Sequence, residues 1–138
     1  MERIKSFFQR DRFAALAGIE LLEVSPGYAK VKMPIDDRHL NGVCCVHGGA
    51  IFTLADFAFA VASNSHGTVA VAAQVSITFV KAARQGAALY AEAREASRGS
   101  KLASYTIHVT DQDGGLIAIF QGLAYRMDQT LDAVAADV

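Results

Sequence analysis

VHGGAIFTLADFAFAVA, Val46 to Ala62, is the stretch on which the reading of this chain turns. Two glycines, Gly48 and Gly49, follow His47, and the apolar run that leads away from them carries a single charge, Asp56. Ala50 to Ala62 is apolar almost all the way round a helix, and such a helix must be buried. A lone carboxylate inside it is costly unless it is paired or put to use.

Reading outward, VAVAAQVSITFV (69–80), ALYAEAREA (88–96), KLASYTIHVTD (101–111) and GLIAIFQGLAYRM (115–127) have strand character, with breaks at Gly86, Arg98 to Ser100 and Asp113 to Gly115. Upstream, IELLEV and YAKVKM flank Ser25, Pro26 and Gly27, which predicts a hairpin. Tyr28, Lys30 and Lys32 alternate with Ala29, Val31 and Met33, the period of a strand with one wet face. DDRHLNG (36–42) reads as a polar loop. About six strands and one long buried helix predict an α+β fold, an antiparallel sheet wrapped around one long central helix. The N-terminal segment 1–17 predicts one short amphipathic helix, with Ile4, Phe7, Phe8 and Leu16 as its apolar positions and an end near Gly18. Residues 128–138 read as a loose tail, and 1–138 as a single domain.

Net charge is -1 and the pI about 6.4, so no strong field draws nucleic acid or an anionic membrane. Residues 1–18 lack the continuous apolar core of a signal peptide, and no run reaches the length of a membrane span, so a cytoplasmic protein is expected. Cys44 and Cys45 are the only cysteines. Neighbours in sequence make a poor disulfide, which fits a reduced compartment, and they lack the paired His or Cys partners of a metal site.

Asn-Gly at 41–42, then HGG, then an apolar helix carrying an acid, then SITFVKAARQG and SRGSKLASYTIHV, resemble the hot-dog-fold acyl-CoA thioesterases, and among them the PaaI-type phenylacetyl-CoA thioesterases. The resemblance runs from about Phe13 to Met127. It implies a homodimer whose sheets join edge to edge, paired again into a homotetramer as a dimer of dimers, with each site between two subunits. It also implies acyl-CoA as substrate, aryl-acetyl or a related aromatic or medium acyl group, and no cofactor, coenzyme A being part of the substrate.

Thioester hydrolysis builds charge on the carbonyl oxygen, so a site needs donors aimed at that oxygen and a base or nucleophile opposite. The first N–H groups of a helix have no partner inside it, and the helix dipole adds positive potential there. By resemblance, the Gly48 N–H polarises the carbonyl and Asp56 is the general base or the nucleophile. Eight residues bring Asp56 round to roughly the same side of the helix. The alternative for Asp56 is a structural carboxylate bonded to a neighbouring strand. His47 is catalytic or simply fixes its loop; Asn41 orients the carbonyl or the water, or belongs to an ordinary turn; Gly49 gives steric access. Where some relatives carry a hydroxyl on the strand after the helix this chain reads VAVAAQVS, leaving Gln74, Ser63 or Asn64 as substitutes. Lys81, Arg84, Arg98 and Lys101 are the cations for the coenzyme A phosphates, or else solvated surface. Phe57, Phe59 and Phe79 hint at the acyl pocket, with core packing as their other role. Two further functions compete: a non-catalytic acyl-CoA sensor, and a hot-dog hydratase or dehydratase, whose histidine motif ahead of the helix this chain lacks.

Overall fold

The burial that Ala50 to Ala62 demands is supplied by a sheet. The computed structural model describes residues 1–136. Six strands, β1 Glu20–Ser25, β2 Tyr28–Pro34, β3 Thr68–Phe79, β4 Ala88–Arg98, β5 Leu102–Asp111 and β6 Leu116–Thr130, form one antiparallel sheet in the order β1-β2-β4-β5-β6-β3. Against it lies one helix of 17 residues, Gly48–Asn64, here α3, which packs on β2, β3, β4 and β5. This is the hot-dog arrangement that the resemblance implied.

Small side chains let the helix come down onto the sheet. Ala29, Ala91, Ala93, Ala118 and Ala124 are 0% exposed and Ala103 2%. On the helix, Leu54, Ala55, Ala58, Val61 and Ala62 are likewise 0% exposed. The closest approach is at Gly122 in β6, where a Cβ atom would fall 2.7 Å from the Phe59 ring. That ring, 2% exposed, stands edge-on to Tyr105 with centroids 5.7 Å apart and is tilted against Phe120 at 5.8 Å. Each such aromatic pair adds to the area that its members bury.

The connection from β2 to α3 is a built feature rather than the plain loop expected. Asp37–His39 form a 3-10 turn capped by Asp36, whose side chain accepts the Arg38 N–H at 3.1 Å. His39 is buried; its Nδ1 accepts the Asp36 N–H at 3.0 Å and its Nε2 donates to the Ala17 carbonyl at 2.6 Å. The His47 N–H donates to the His39 carbonyl at 2.7 Å, and the Val46 N–H to the Ala83 carbonyl at 2.9 Å. These bonds fix the chain on its way into α3.

Two expectations at the ends are corrected. The N-terminal segment holds two helices, α1 Glu2–Phe8 and α2 Arg12–Ala17, not one. Asp11 is the reason: its backbone is extended (φ −73°, ψ 99°) and its side chain accepts the Ala14 N–H at 3.0 Å, which starts a new helix. The break turns Leu16, expected to face inward with Ile4, Phe7 and Phe8, into solvent at 70% exposure. The loose tail is also absent over the described residues. β6 runs to Thr130, and α4, Leu131–Ala136, follows, because Leu131 is buried and its N–H donates to the Gly67 carbonyl at 3.0 Å. Residues 137–138 of that expectation lie outside the described residues.

If the Phe59 ring is confined as described, Gly122→Ala overpacks the contact and destabilises the fold by about 1–3 kcal/mol. Urea unfolding reads this as a lower midpoint with unchanged slope; an unchanged midpoint would show that the ring has room to move.

Candidate active site

α3 begins at an N-cap, His47, whose Nδ1 accepts the Gly49 N–H at 2.8 Å. The His47 carbonyl takes the N–H groups of Ala50 and Ile51. The cap therefore serves Gly49 and leaves Gly48: among the described residues the Gly48 N–H makes no hydrogen bond. A Cβ at Gly48 would lie 3.3 Å from the Phe79 ring, so the ring walls one side of this donor and glycine keeps the other side open. An unpartnered N–H at a helix N-terminus is a ready donor for an oxyanion.

Along the same helix, Gly49, Thr53, Asp56 and Ala60 are not fully buried, although most of the residues between them are. Their spacing of four, three and four places them on one stripe. Thr53 donates its hydroxyl to the Gly49 carbonyl at 2.7 Å and gives the stripe no free group. Asp56 accepts no hydrogen bond among the described residues. The alternative of a carboxylate bonded to a strand therefore finds no partner in the chain. Burial pushes the Asp56 carboxyl above the usual carboxylate range, and the charge of Asp11, at the start of α2, pushes it further. The Gly48 N–H stands at the head of the helix that carries this stripe, and eight residues separate it from Asp56 by about 12 Å along the axis.

With this geometry in hand, comparison with known proteins is informative. The thioesterase superfamily pattern matches residues 45–118, the span from the HGG loop through α3, β3, β4 and β5 to the start of β6. The chain belongs to the thioesterase superfamily. A putative esterase of Archaeoglobus fulgidus is 45% identical over 130 residues, covering 94% of this chain and 84% of the relative. The acyl-coenzyme A thioesterase PaaI of Escherichia coli K12 is 34% identical over 130 residues, covering 94% and 93%. The solved structure of E. coli PaaI, from the phenylacetic acid degradation operon, superposes with a TM-score of 0.88 over 91% of each chain. A Streptococcus mutans protein solved bound to acetyl CoA is 27% identical, with a TM-score of 0.78 over 81% of this chain and 90% of that one.

On this thioesterase-superfamily fold the other expected site residues divide. Asn41 Oδ1 accepts the Val43 and Cys45 N–H groups at 3.0 and 3.1 Å, so its carbonyl shapes the loop while its amide nitrogen makes no hydrogen bond among the described residues. Cys44 takes φ 63° in this tight loop. Ser63 and Asn64 are spent: Ser63 Oγ donates to the Ala60 carbonyl, and Asn64 clamps the Ala70 backbone through both side-chain atoms. Gln74 is exposed, bonded only to the Val75 carbonyl, and lines a groove with Ser104, Thr106 and Gln121 rather than with Asp56. Phe57 and Phe59 are core residues, whereas Phe79 is 52% exposed at the Gly48 end.

The four expected cations lie at opposite ends of the sheet. Lys81 and Arg84 sit at the Gly48 end, Lys81 facing Asp111 at 3.6 Å and Arg84 bridging by its backbone to Cys45. Arg98 and Lys101 lie beyond the 11 residues of β4, about 35 Å away. There Arg98 donates to His66 Nδ1 at 2.5 Å, His66 pairs with Glu95 at 2.7 Å, and Lys101 faces Asp128 at 3.6 Å. Among the described residues Arg84 is the one of the four whose side chain has no charged or hydrogen-bonding partner. Two residues beside the site escaped the sequence reading, Asp11 and His39. Both carried a signal: an Asp three residues before Ala14 in an alanine-rich run, and a D-x-x-H spacing from Asp36 to His39 that matches a capping box. Among the described residues no helix is long and apolar enough to cross a membrane, and no three His, Cys, Asp or Glu side chains cluster as metal ligands.

A raised Asp56 pKa means that the folded chain holds this proton more firmly than the unfolded chain does. The penalty is absent below the ordinary value of 3.8, grows as pH rises through the raised value, and is complete above it. Asp56→Asn is expected to melt above the parent at pH 7, with the gain vanishing on acidification; equal melting across the range would mean a solvated carboxylate. His47→Ala, which removes the cap, costs about 0.5–2 kcal/mol in denaturant unfolding, and His47→Asn, able to cap, restores most of it.

Proposed function

We propose that this protein hydrolyses acyl-CoA thioesters to the free acid and coenzyme A, with Gly48 and Asp56 as the reacting groups. The observation that carries the reading is an unpartnered N–H at the start of the same helix whose open stripe carries an unpartnered, partly buried carboxylate with a raised pKa. The Gly48 N–H stabilises the oxyanion as the tetrahedral centre forms. Asp56 then acts in one of two ways. As a base it takes a proton from the attacking water, and a pKa raised above the ordinary carboxylate value makes it the stronger base for that step. As a nucleophile it attacks the carbonyl carbon, expels the coenzyme A thiolate and leaves a mixed anhydride for water to cleave. The Asn41 amide nitrogen, without a hydrogen bond among the described residues, orients substrate or water, and His47 works through the cap.

The 12 Å between donor and acid along α3 favours a site made from two copies, the Gly48 of one facing the Asp56 of the other. The strand to join them is β3. It is an edge of the sheet, 12 residues long and without a charged side chain, and a bare edge of that kind invites pairing with another chain. A homodimer across β3, and a pair of dimers as homotetramer, is the assembly adopted here. Arg84 and Lys81 are the first candidates for the coenzyme A phosphates at the Gly48 end, with Arg98 and Lys101 of another copy as the second pair. PaaI of E. coli belongs to a phenylacetic acid operon, which supports an aryl-acetyl group as substrate. Free Cys44 and Cys45 and a coenzyme A ester suit the cytoplasm.

Coenzyme A release from aryl-acetyl, benzoyl, short-chain and long-chain esters, followed with a thiol reagent against a protein-only blank, tests the reaction. Asp56→Asn is expected to lower the rate at least about a hundredfold while remaining folded. Binding without release from any ester would leave an acyl-CoA sensor instead. A mixture of Asp56→Asn and Gly48→Val chains, unfolded and refolded together, is expected to regain roughly a quarter of parent activity, because half the dimers are mixed and each of these holds one intact site. No recovery would place both groups of a site on one chain.

A further inference from the structure

His39 is a buried titratable side chain that the reaction proposed above leaves unused. It lies between β2 and α3, 3% exposed, and both ring nitrogens are spent inside the chain. Nδ1 accepts the Asp36 N–H at 3.0 Å, and Nε2 faces the Ala17 carbonyl at 2.6 Å. A donor on one side and an acceptor on the other fix the ring proton on Nε2. Neither nitrogen is left for a substrate, so the work of the ring lies in what it holds.

What it holds is the approach to the Gly48 donor. The His39 carbonyl accepts the His47 N–H at 2.7 Å, which closes the base of the 40–46 loop. From the same residue, His47 Nδ1 accepts the Gly49 N–H at 2.8 Å. An unbroken series of hydrogen bonds therefore runs from the last residue of α2, through the ring and backbone of His39 and through His47, into the first turn of α3. It ends beside the Gly48 N–H, which has no partner among the described residues. The tip of the loop offers no such anchor: Val43 is 77% exposed, and Cys44 is exposed as well.

We propose that His39 is a positioning residue for the thioester reaction: tied at one ring nitrogen to α2 and at the other to the 3-10 turn, it sets where His47 caps α3 and so where the Gly48 N–H points. This rests on the acyl-CoA reading above. A donor aimed at a developing oxyanion stabilises the transition state more than the bound ester, so mis-aiming it lowers kcat and leaves KM nearly unchanged.

The test follows the helix start and the reaction separately. Amide hydrogen exchange, read by NMR, reports on the helix start without any substrate. In His39→Ala the His47 and Gly49 N–H groups should exchange about tenfold faster or more, while the amides of β5, in the middle of the sheet, keep their parent protection. For phenylacetyl-CoA, kcat should fall by about ten- to a hundredfold at nearly constant KM. His39→Gln, whose side-chain amide can donate toward the Ala17 carbonyl, should recover much of both. Because His39 acts through the cap, His39→Ala should cost little further in kcat once His47→Ala is present, whereas a side chain that only stabilised the fold would cost the same factor in either background. Unchanged exchange at His47 and Gly49, equal factors in the two backgrounds, or a change confined to KM overturns the proposal. Should His39→Ala fail to fold, His39→Asn, which keeps an acceptor for Asp36 but stops short of Ala17, carries the same readouts. A parent that releases no coenzyme A from any ester, while the Gly49 exchange responds as expected, sinks the hydrolase reading and leaves His39 as the group that places the start of α3.

Discussion

The seating of α3 on a sheet floored with alanine is the contact on which the rest depends. Alanine in a strand contributes little to sheet stability by itself. Here a row of alanines and Gly122 lets a helix of similar small residues approach closely, and larger groups such as Phe59, Phe120 and Tyr105 interlock around the seam. The helix is buried on nearly every side as a result. Its remaining open stripe then becomes the only place where Asp56 can reach anything but core.

That arrangement explains why the site is unusual in its accounting of polar groups. Buried and capped helices leave few donors unmatched. His47 matches the Gly49 N–H and leaves the Gly48 N–H without a partner among the described residues, and the loop that delivers His47 is pinned through His39 to the N-terminal helices. Asp56 is destabilised by burial and by Asp11 instead of being relieved by a partner. Hydrogen bonding is given up at two points of one helix, its first N–H and its one carboxylate.

Much of this was legible beforehand because it rests on local rules. Alternation marked the strands, turn residues marked the hairpin, and the HGG run followed by a long apolar segment marked the buried helix. The failures have a common physical origin in contacts made by short segments. Helices of six or seven residues are stabilised by what they touch, so the break at Asp11 and the helix after Thr130 depended on an N-cap and on burial of Leu131. His39 looked like loop because one of its two partners, the Ala17 carbonyl, is 22 residues upstream at the end of α2, where no local pattern reports it. Lys81, Arg84, Arg98 and Lys101 lie close in sequence, but a long strand separates Arg84 from Arg98, and no local pattern reports which end of a strand faces a ligand.

The Phe59–Gly122 contact has a mechanical consequence. Along α3, Phe59 stands about 4.5 Å from Asp56 and about 16 Å from Gly48, so a tilt pivoting on that ring displaces the N-terminal donor three to four times as far as the acid. Hydrogen bonding to a developing charge tolerates only small misplacement. Changes deep in the floor would thus be felt as a mis-aimed donor well before they are felt as unfolding, and the sheet serves as the alignment bench of the active site as much as its foundation.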